Sequence, residues 1–296
     1  MTFLRWGSWA ILALVTMELC AREVARRSLF EILSGTRPDL GPLTTIAIAC
    51  GIAGVLASRG STGRRTAVIF ATLFAVGVAS QIHLGARLQS DGFYYFSYLR
   101  SLVFDHDVEF SNDYRLLGLG DKAHLFQPTP TGYAQSAWTI GPAIVWSPFF
   151  AAAHPIARAL NRQGADVSTN GISYPYRQAV CIAGLFYALL GCWFMYRLVL
   201  RFFDTRLSVL AVVLVVAGSF MLWYAVREPS MTHAPSMAGV AGFAWFWVAT
   251  YGRRTRFEWA LLGFVAGFIT LIRWQNALFA ILPASESLAL LVGAVR

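Results

Sequence analysis

Runs of about 20 mainly apolar residues constrain this chain more than any other feature, because a helix needs that length to cross the hydrocarbon core of a bilayer. They occupy 6–21, 43–58, 66–87, 178–203, 207–226, 233–252, 257–273 and 275–295. Composition agrees: 57% of the 296 residues are hydrophobic and 13% charged, where soluble chains carry about 25% charge. The sequence predicts an all-α integral membrane protein of about eight transmembrane helices. A soluble dinucleotide-binding enzyme, a secreted disulfide scaffold and a disordered chain are excluded together.

Arginine placement orients the spans. The formal net charge is +9, and Lys122 is the one lysine among 24 basic residues. The arginines cluster between apolar runs, which is the positive-inside pattern and not a phosphate-binding groove, so nucleic acid is not an expected partner. A further run, 140–160, is apolar enough to suggest a ninth span. If it crossed, Arg253, Arg254 and Arg256 would fall outside together with Arg197, Arg201 and Arg206. Kept on the outer face, it leaves those residues and Arg59, Arg64 and Arg65 inside, opposed by Asp204 and Glu258 alone. Pro142, Pro148 and Pro155 also suit a broken helix lying in the interface.

On this topology both termini are cytoplasmic. Residues 1–296 form one polytopic domain in the cytoplasmic (inner) membrane, and 87–177 is one large extracytoplasmic loop carrying juxtamembrane helices. Loop 21–42 departs from the charge rule, with Arg22, Arg26, Arg27 and Arg37 outside. Met17-Glu18-Leu19-Cys20 makes a poor lipobox, so run 6–21 reads as a retained helix and not as a signal peptide. Cys20, Cys50, Cys181 and Cys192 lie in or beside apolar runs without a CxxC pair and read as packing residues.

Long ordered loops in compact proteins are usually functional, which directs attention to 87–177. Asp91, in Ser90-Asp91-Gly92-Phe93-Tyr94-Tyr95, follows the third run at a membrane–water boundary. A carboxylate there is partly desolvated yet open to a polar acceptor, as a general base must be. The same residues also read as a helix cap followed by an interfacial belt of Tyr94, Tyr95 and Tyr98. Downstream, Asp105, Asp107 and Glu109 gather oxygen donors that could hold a divalent cation or form a solvated acidic turn. Arg177, Arg227-Glu228, His233 and Arg273-Trp274-Gln275-Asn276 all fall on the same outer face as Asp91. Polar groups at that depth are costly unless paired or used, and cations near headgroups with a carboxylate at the rim suit a phosphate-bearing lipid.

The sequence runs from a span to Ser90-Asp91-Gly92-Phe93-Tyr94-Tyr95 and a long loop. The Pro-rich helix Ile140-Gly141-Pro142-Ala143-Ile144-Val145-Trp146-Ser147-Pro148 follows, and Tyr176-Arg177 opens the next span. This order resembles the GT-C membrane glycosyltransferases, in the branch with protein O-mannosyltransferases and the aminoarabinose transferase of lipid A. Gly263-Phe264-Val265-Ala266-Gly267-Phe268 leading to Arg273 is similar to that family's glycine-containing helix ending in a basic residue. The likeness covers residues 66–276 and implies an inverting enzyme acting on the outer face. Such an enzyme moves a sugar from a polyprenyl-phosphate donor to an acceptor hydroxyl on a glycan, lipid or protein.

By the same resemblance, Asp91 is the catalytic carboxylate, and Arg177 and Arg273 face the lipid phosphate; Arg227 is added to them from its place on the same outer face. Tyr94, Tyr95, Asp105, Asp107, Glu109 and His233 complete the expected substrate-binding set, with a divalent cation as the candidate cofactor. Gly92 stands where the family often has a second acid, and two spans precede the usual first one. Relatives continue through more spans, which leaves an N-terminal fragment as one reading of the chain. The alternative is a transporter or lipid flippase with a gating outer loop. It sits less well with a chain that lacks an internal repeat and gathers its polar residues at one face.

Overall fold

Proline, aspartate and threonine mark the starts of three of this chain's helices. A computed structural model describes residues 62–293, together with Gly51. Its helices are α1 (Thr62–Leu84), α2 (Gly92–Arg100), α3 (Ser111–Leu116), α4 (Gly141–Arg162), α5 (Tyr174–Val199), α6 (Thr205–Ala217), α7 (Met221–Val226), α8 (His233–Thr250), α9 (Arg256–Ile272) and α10 (Ile281–Leu291). A π-turn (Ser101–Asp105) continues α2, and 3-10 turns fill Ala123–Phe126 and Trp274–Ala280. The described residues are all-helical, with no strand beyond an isolated bridge between Pro128 and Ala134.

Three helix starts follow ordinary N-terminal chemistry. Pro175 lies in the first turn of α5, where its missing N–H costs nothing. The Asp204 carboxylate accepts from the backbone N–H groups of Arg206 and Leu207, at 2.8 and 3.0 Å, and caps α6. Thr255 and Glu258 form a reciprocal capping box at the start of α9.

Helix α4 corrects the expectation of a broken helix at 140–160. It runs unbroken for 22 residues with Pro148 and Pro155 inside. Pro148 cannot donate to the Ile144 carbonyl four residues back. The Ser147 hydroxyl donates to that carbonyl instead, at 2.8 Å, so the ladder loses one donor without leaving an orphan acceptor.

Eight spans are likewise not what the described residues support. By length and composition α5 is the one helix among them long and apolar enough to cross a membrane; Arg65–Ala79 and Thr205–Ala217 are apolar but shorter. Run 207–226 is split into α6 and α7 by the turn at Gly218-Ser219-Phe220. Run 275–295 is split into a 3-10 turn and an 11-residue helix. Run 233–252 opens with His233, Pro235 and Ser236, which lower its apolarity. Run 6–21 lies outside the described residues, as does 43–58 apart from Gly51.

Helix α5 is the hub. Its first half shares a core with α2 and α4, built from Tyr95, Phe96, Trp146, Phe150, Tyr176 and Val180. The predicted loop 87–177 is thus largely helical and packed on α5. The other faces of α5 meet α1, α6 and α8 closely: Gly191 admits Met237, and Gly242 of α8 admits Phe194. Large apolar side chains cover the outer faces of the later helices, among them Val213, Leu214, Phe220, Phe264, Leu278 and Leu291.

The turn between α8 and α9 is locked from inside. Arg254 and Glu286 form an ion pair in which both side chains are almost fully buried. Glu286 also accepts from Trp247 Nε1 (2.8 Å) and the Gly252 N–H (3.2 Å), and Arg254 donates to Thr250 Oγ1 (2.8 Å) and to the Trp247 carbonyl. The sequence places Arg254 in the inner cluster with Arg253 and Arg256 and gives no sign of its pairing with Glu286.

Candidate functional site

The approach to α2 turns sharply at Ser90, whose backbone is left-handed at φ 48°. Past that turn the Asp91 carbonyl accepts from the N–H groups of Tyr94 and Tyr95, at 3.1 and 3.3 Å. Asp91 therefore occupies the N-cap position of α2, yet its side chain makes no cap hydrogen bond. The Ser90 hydroxyl donates to Asp91 Oδ1 at 3.3 Å. The capping alternative thus has the position right and the bond wrong. This half-buried carboxylate is not spent on its own helix.

Gly92 has a packing reason for being glycine. A Cβ there would lie 2.6 Å from Ser230 Oγ and 3.0 Å from its carbonyl oxygen. A Cβ on Gly184 of α5 would overlap the Pro229 carbonyl. The segment 228–232 is therefore wedged between α2 and α5, and position 92 has no room for a side chain. Gly92→Asp is expected to destabilise the fold by about 1–3 kcal/mol through overpacking. Thermal melting checks this: a variant that melts with wild type would mean the segment moves aside freely.

The wedge also links Asp91 to the end of α9. Thr232 donates to the Tyr95 hydroxyl at 3.4 Å, and Tyr95 lies within electrostatic reach of both Asp91 and Arg273. Burial pushes the Tyr95 pKa up and the Asp91 charge adds to the rise, while Thr232 and Arg273 pull it down. The net rise keeps the hydroxyl protonated. Arg273 ends α9 in an extended conformation, φ −149° and ψ 127°, and its Nη1 lies 2.6 Å from His233 Nδ1. A guanidinium has only donors, so that ring nitrogen offers a lone pair. The other side of the contact is held by Tyr224, stacked on His233 with ring centroids 3.6 Å apart. Asn276 braces the same corner: it donates to the Ile269 carbonyl at 2.9 Å and accepts from Ser236 at 2.9 Å.

Asp91, Tyr95, His233 and Arg273 are thus brought together around segment 228–232. Arg177 lies near the start of α5, half-buried, with its Nε buried and without a hydrogen-bond partner. Arg177 and Arg87 both lie within electrostatic reach of Cys181. Sequence reading missed Arg87 as a site residue, and its place at the end of the third run, on the Asp91 side, was the available signal. It also missed Tyr224, Thr232 and Ser230. Arg227 closes α7 with its guanidinium 5.8 Å from the Trp223 ring.

The remaining candidates fall elsewhere. Tyr94 packs edge-on against Tyr114, with centroids 5.8 Å apart. Asp105 pairs with Arg100 and accepts from Asn112 at 2.7 Å. Asp107 accepts from Ser101 at 2.7 Å, and Glu109 accepts from the Ser111 hydroxyl at 2.6 Å. These carboxylates build their own loop. Among the described residues no group of three or more His, Cys, Asp or Glu could hold a metal ion.

Behind that turn lies Asp113, fully buried, 2.9 Å from the Arg100 guanidinium that it shares with Asp105. Burial raises its pKa to about 6 from 3.8, against the pull of Arg100 and with the push of Asp105 and Asp107. Between those values the folded chain binds more protons than the unfolded one, so stability should rise as pH falls through 6 towards 4. Wild type is expected to gain thermal stability from pH 7 to pH 5 relative to Asp113→Asn. Parallel melting curves for the two chains would remove Asp113 as the cause.

No family model, curated protein or solved structure matches the chain. Fold and site define a class only: an all-helical protein in which a carboxylate not engaged in capping lies beside Tyr95, which is also within electrostatic reach of the His233-bound Arg273.

Proposed function

We propose that the chain is a membrane-embedded glycosyltransferase. It would move a sugar from a polyprenyl-phosphate donor to an acceptor hydroxyl, inverting the anomeric centre, on the outer face of the cytoplasmic membrane. The observation that carries this reading is Asp91, a half-buried carboxylate at a helix start that makes no cap bond and lies beside Tyr95. In the proposed reaction the acceptor oxygen attacks the anomeric carbon and its proton passes to Asp91. The sugar–phosphate C–O bond breaks, and the lipid phosphate leaves with the electron pair. Arg273, held by His233, and Arg177 face the charge that grows on that phosphate.

Two further features support a lipid donor in a membrane. An apolar cavity of about 330 Å³, lined by Val145, Phe194, Phe243, Ile269 and Ile272, reaches the residue next to Arg273 and would accept part of a prenyl chain. Soluble proteins rarely leave large contiguous apolar patches uncovered, whereas the outer faces of α6, α9 and α10 carry them. The reading places α5 across the bilayer.

The test offers membranes containing the chain a panel of radiolabelled polyprenyl-phosphate sugars and follows label leaving the lipid fraction. Loss from one donor is expected. Loss from none, with proton- or sodium-coupled flux in proteoliposomes, would overturn the reading in favour of transport.

A further inference from the structure

Helix α5 carries Arg177 near one end and Arg197 near the other. At 1.5 Å per residue they stand about 30 Å apart, the thickness of a hydrocarbon core. The site described above lies at the Arg177 end. At the Arg197 end, between α5 and the first half of α1, is a groove of about 780 Å³ that this site does not use. Its walls include Ala67, Phe70 and Phe74 of α1 and Phe186, Leu189 and Trp193 of α5.

The groove has a closed end and an open one. Phe74 and Phe186 meet edge-on at 6.2 Å, and beyond them Gly77 lets Leu185 close onto α1. At the other end stand Tyr196, Arg197 and Leu200. From Phe186 to Arg197 the helix rises about 17 Å, close to half the hydrocarbon core and so to the depth of one leaflet. The Arg197 guanidinium sits over the indoles of Trp193 and Trp245, at 5.4 and 5.6 Å. A guanidinium carries five N–H donors, and Arg197 brings them to the lining of the groove. Among the described residues that line the groove Arg197 is the only charge. Asp204, the next acid along the chain, is engaged as the cap of α6. An apolar slot one leaflet deep, ending in Trp, Tyr and Arg, complements an anionic headgroup at a membrane interface.

We infer that this groove binds one anionic phospholipid from the leaflet at the Arg197 end, an acyl chain between α1 and α5 and the phosphate against Arg197. The inference rests on the membrane placement proposed above and not on glycosyl transfer. The full chain, purified in detergent with equal phosphatidylglycerol and phosphatidylcholine, would be examined by native mass spectrometry. One phosphatidylglycerol retained per chain is expected, in preference to phosphatidylcholine. Arg197→Gln should weaken that preference about fivefold, the worth of one cation near an anionic lipid, and Arg197→Lys should keep it. Ala67→Trp should fill the groove and release lipid whatever its headgroup. Equal retention of the two lipids by wild type, or retention unchanged by Arg197→Gln or by Ala67→Trp, would overturn the proposal. So would a cross-link from Ala71→Cys to residues 1–61 in place of lipid. Melting curves of each variant separate lost lipid from a lost fold. A chain stripped from membranes by alkaline carbonate would instead refute the membrane placement.

Discussion

Asp91→Asn is expected to keep the fold and to slow sugar transfer by about 10²–10⁴-fold, the usual worth of a positioned acid–base group. Asparagine matches aspartate in size and still accepts from the Ser90 hydroxyl, so the turn into α2 should survive. The change removes the group that takes up the acceptor proton. Because the carboxylate makes no cap bond, stability should move by far less than the ~1 kcal/mol typical of a lost N-cap. Transfer of label at matched expression, read beside a melting curve, separates the outcomes. Full turnover would sink the assignment, and a parallel loss of stability and turnover would return Asp91 to a structural role.

Glu286→Ala should be the most damaging change to stability, at about 3–5 kcal/mol, the usual cost of removing one partner of a buried ion pair. Arg254 would be left charged in a site where its side chain is 1% exposed. Trp247 Nε1 and the Gly252 N–H would lose their acceptor as well. Glu286→Gln retains an acceptor for Trp247 and should cost less. Thermal or denaturant unfolding in detergent checks the order of the two variants. A loss below about 1 kcal/mol for Glu286→Ala would mean that the pair is reached by water and screened.

The helices were readable because their signals are local. Apolar runs marked α1, α5, α8 and α9; the caps of α6 and α9, Asp204 and Thr255, are equally local, with side chains that bind backbone two or three residues on, and were not read from the sequence. Run 207–226 misled because hydropathy averages over Gly218 and Ser219, while the backbone turns there. Helix α4 misled in the opposite sense: its prolines predict a break, and the hydroxyl of Ser147 repairs the ladder. Within the candidate site, the position of Asp91 at a helix start after an apolar run was readable, and His233 and Arg273, assigned to one face from the sequence, do meet each other.

By itself the sequence determined an all-helical chain, the apolar runs that become its longer helices and the placement of a carboxylate at the head of α2. Only the tertiary structure decided what each polar group does. Asp105, Asp107 and Glu109 resemble a cation site in order but close on Arg100, Ser101 and Ser111. Tyr95 meets Thr232 across 137 positions, Arg273 meets His233 across 40, and Arg254 meets Glu286 across 32. Helix propensity and capping act over about four residues, whereas an ion pair is chosen by which helix faces pack together. No pattern along the chain separates an arginine that meets water from one that folds onto a buried glutamate.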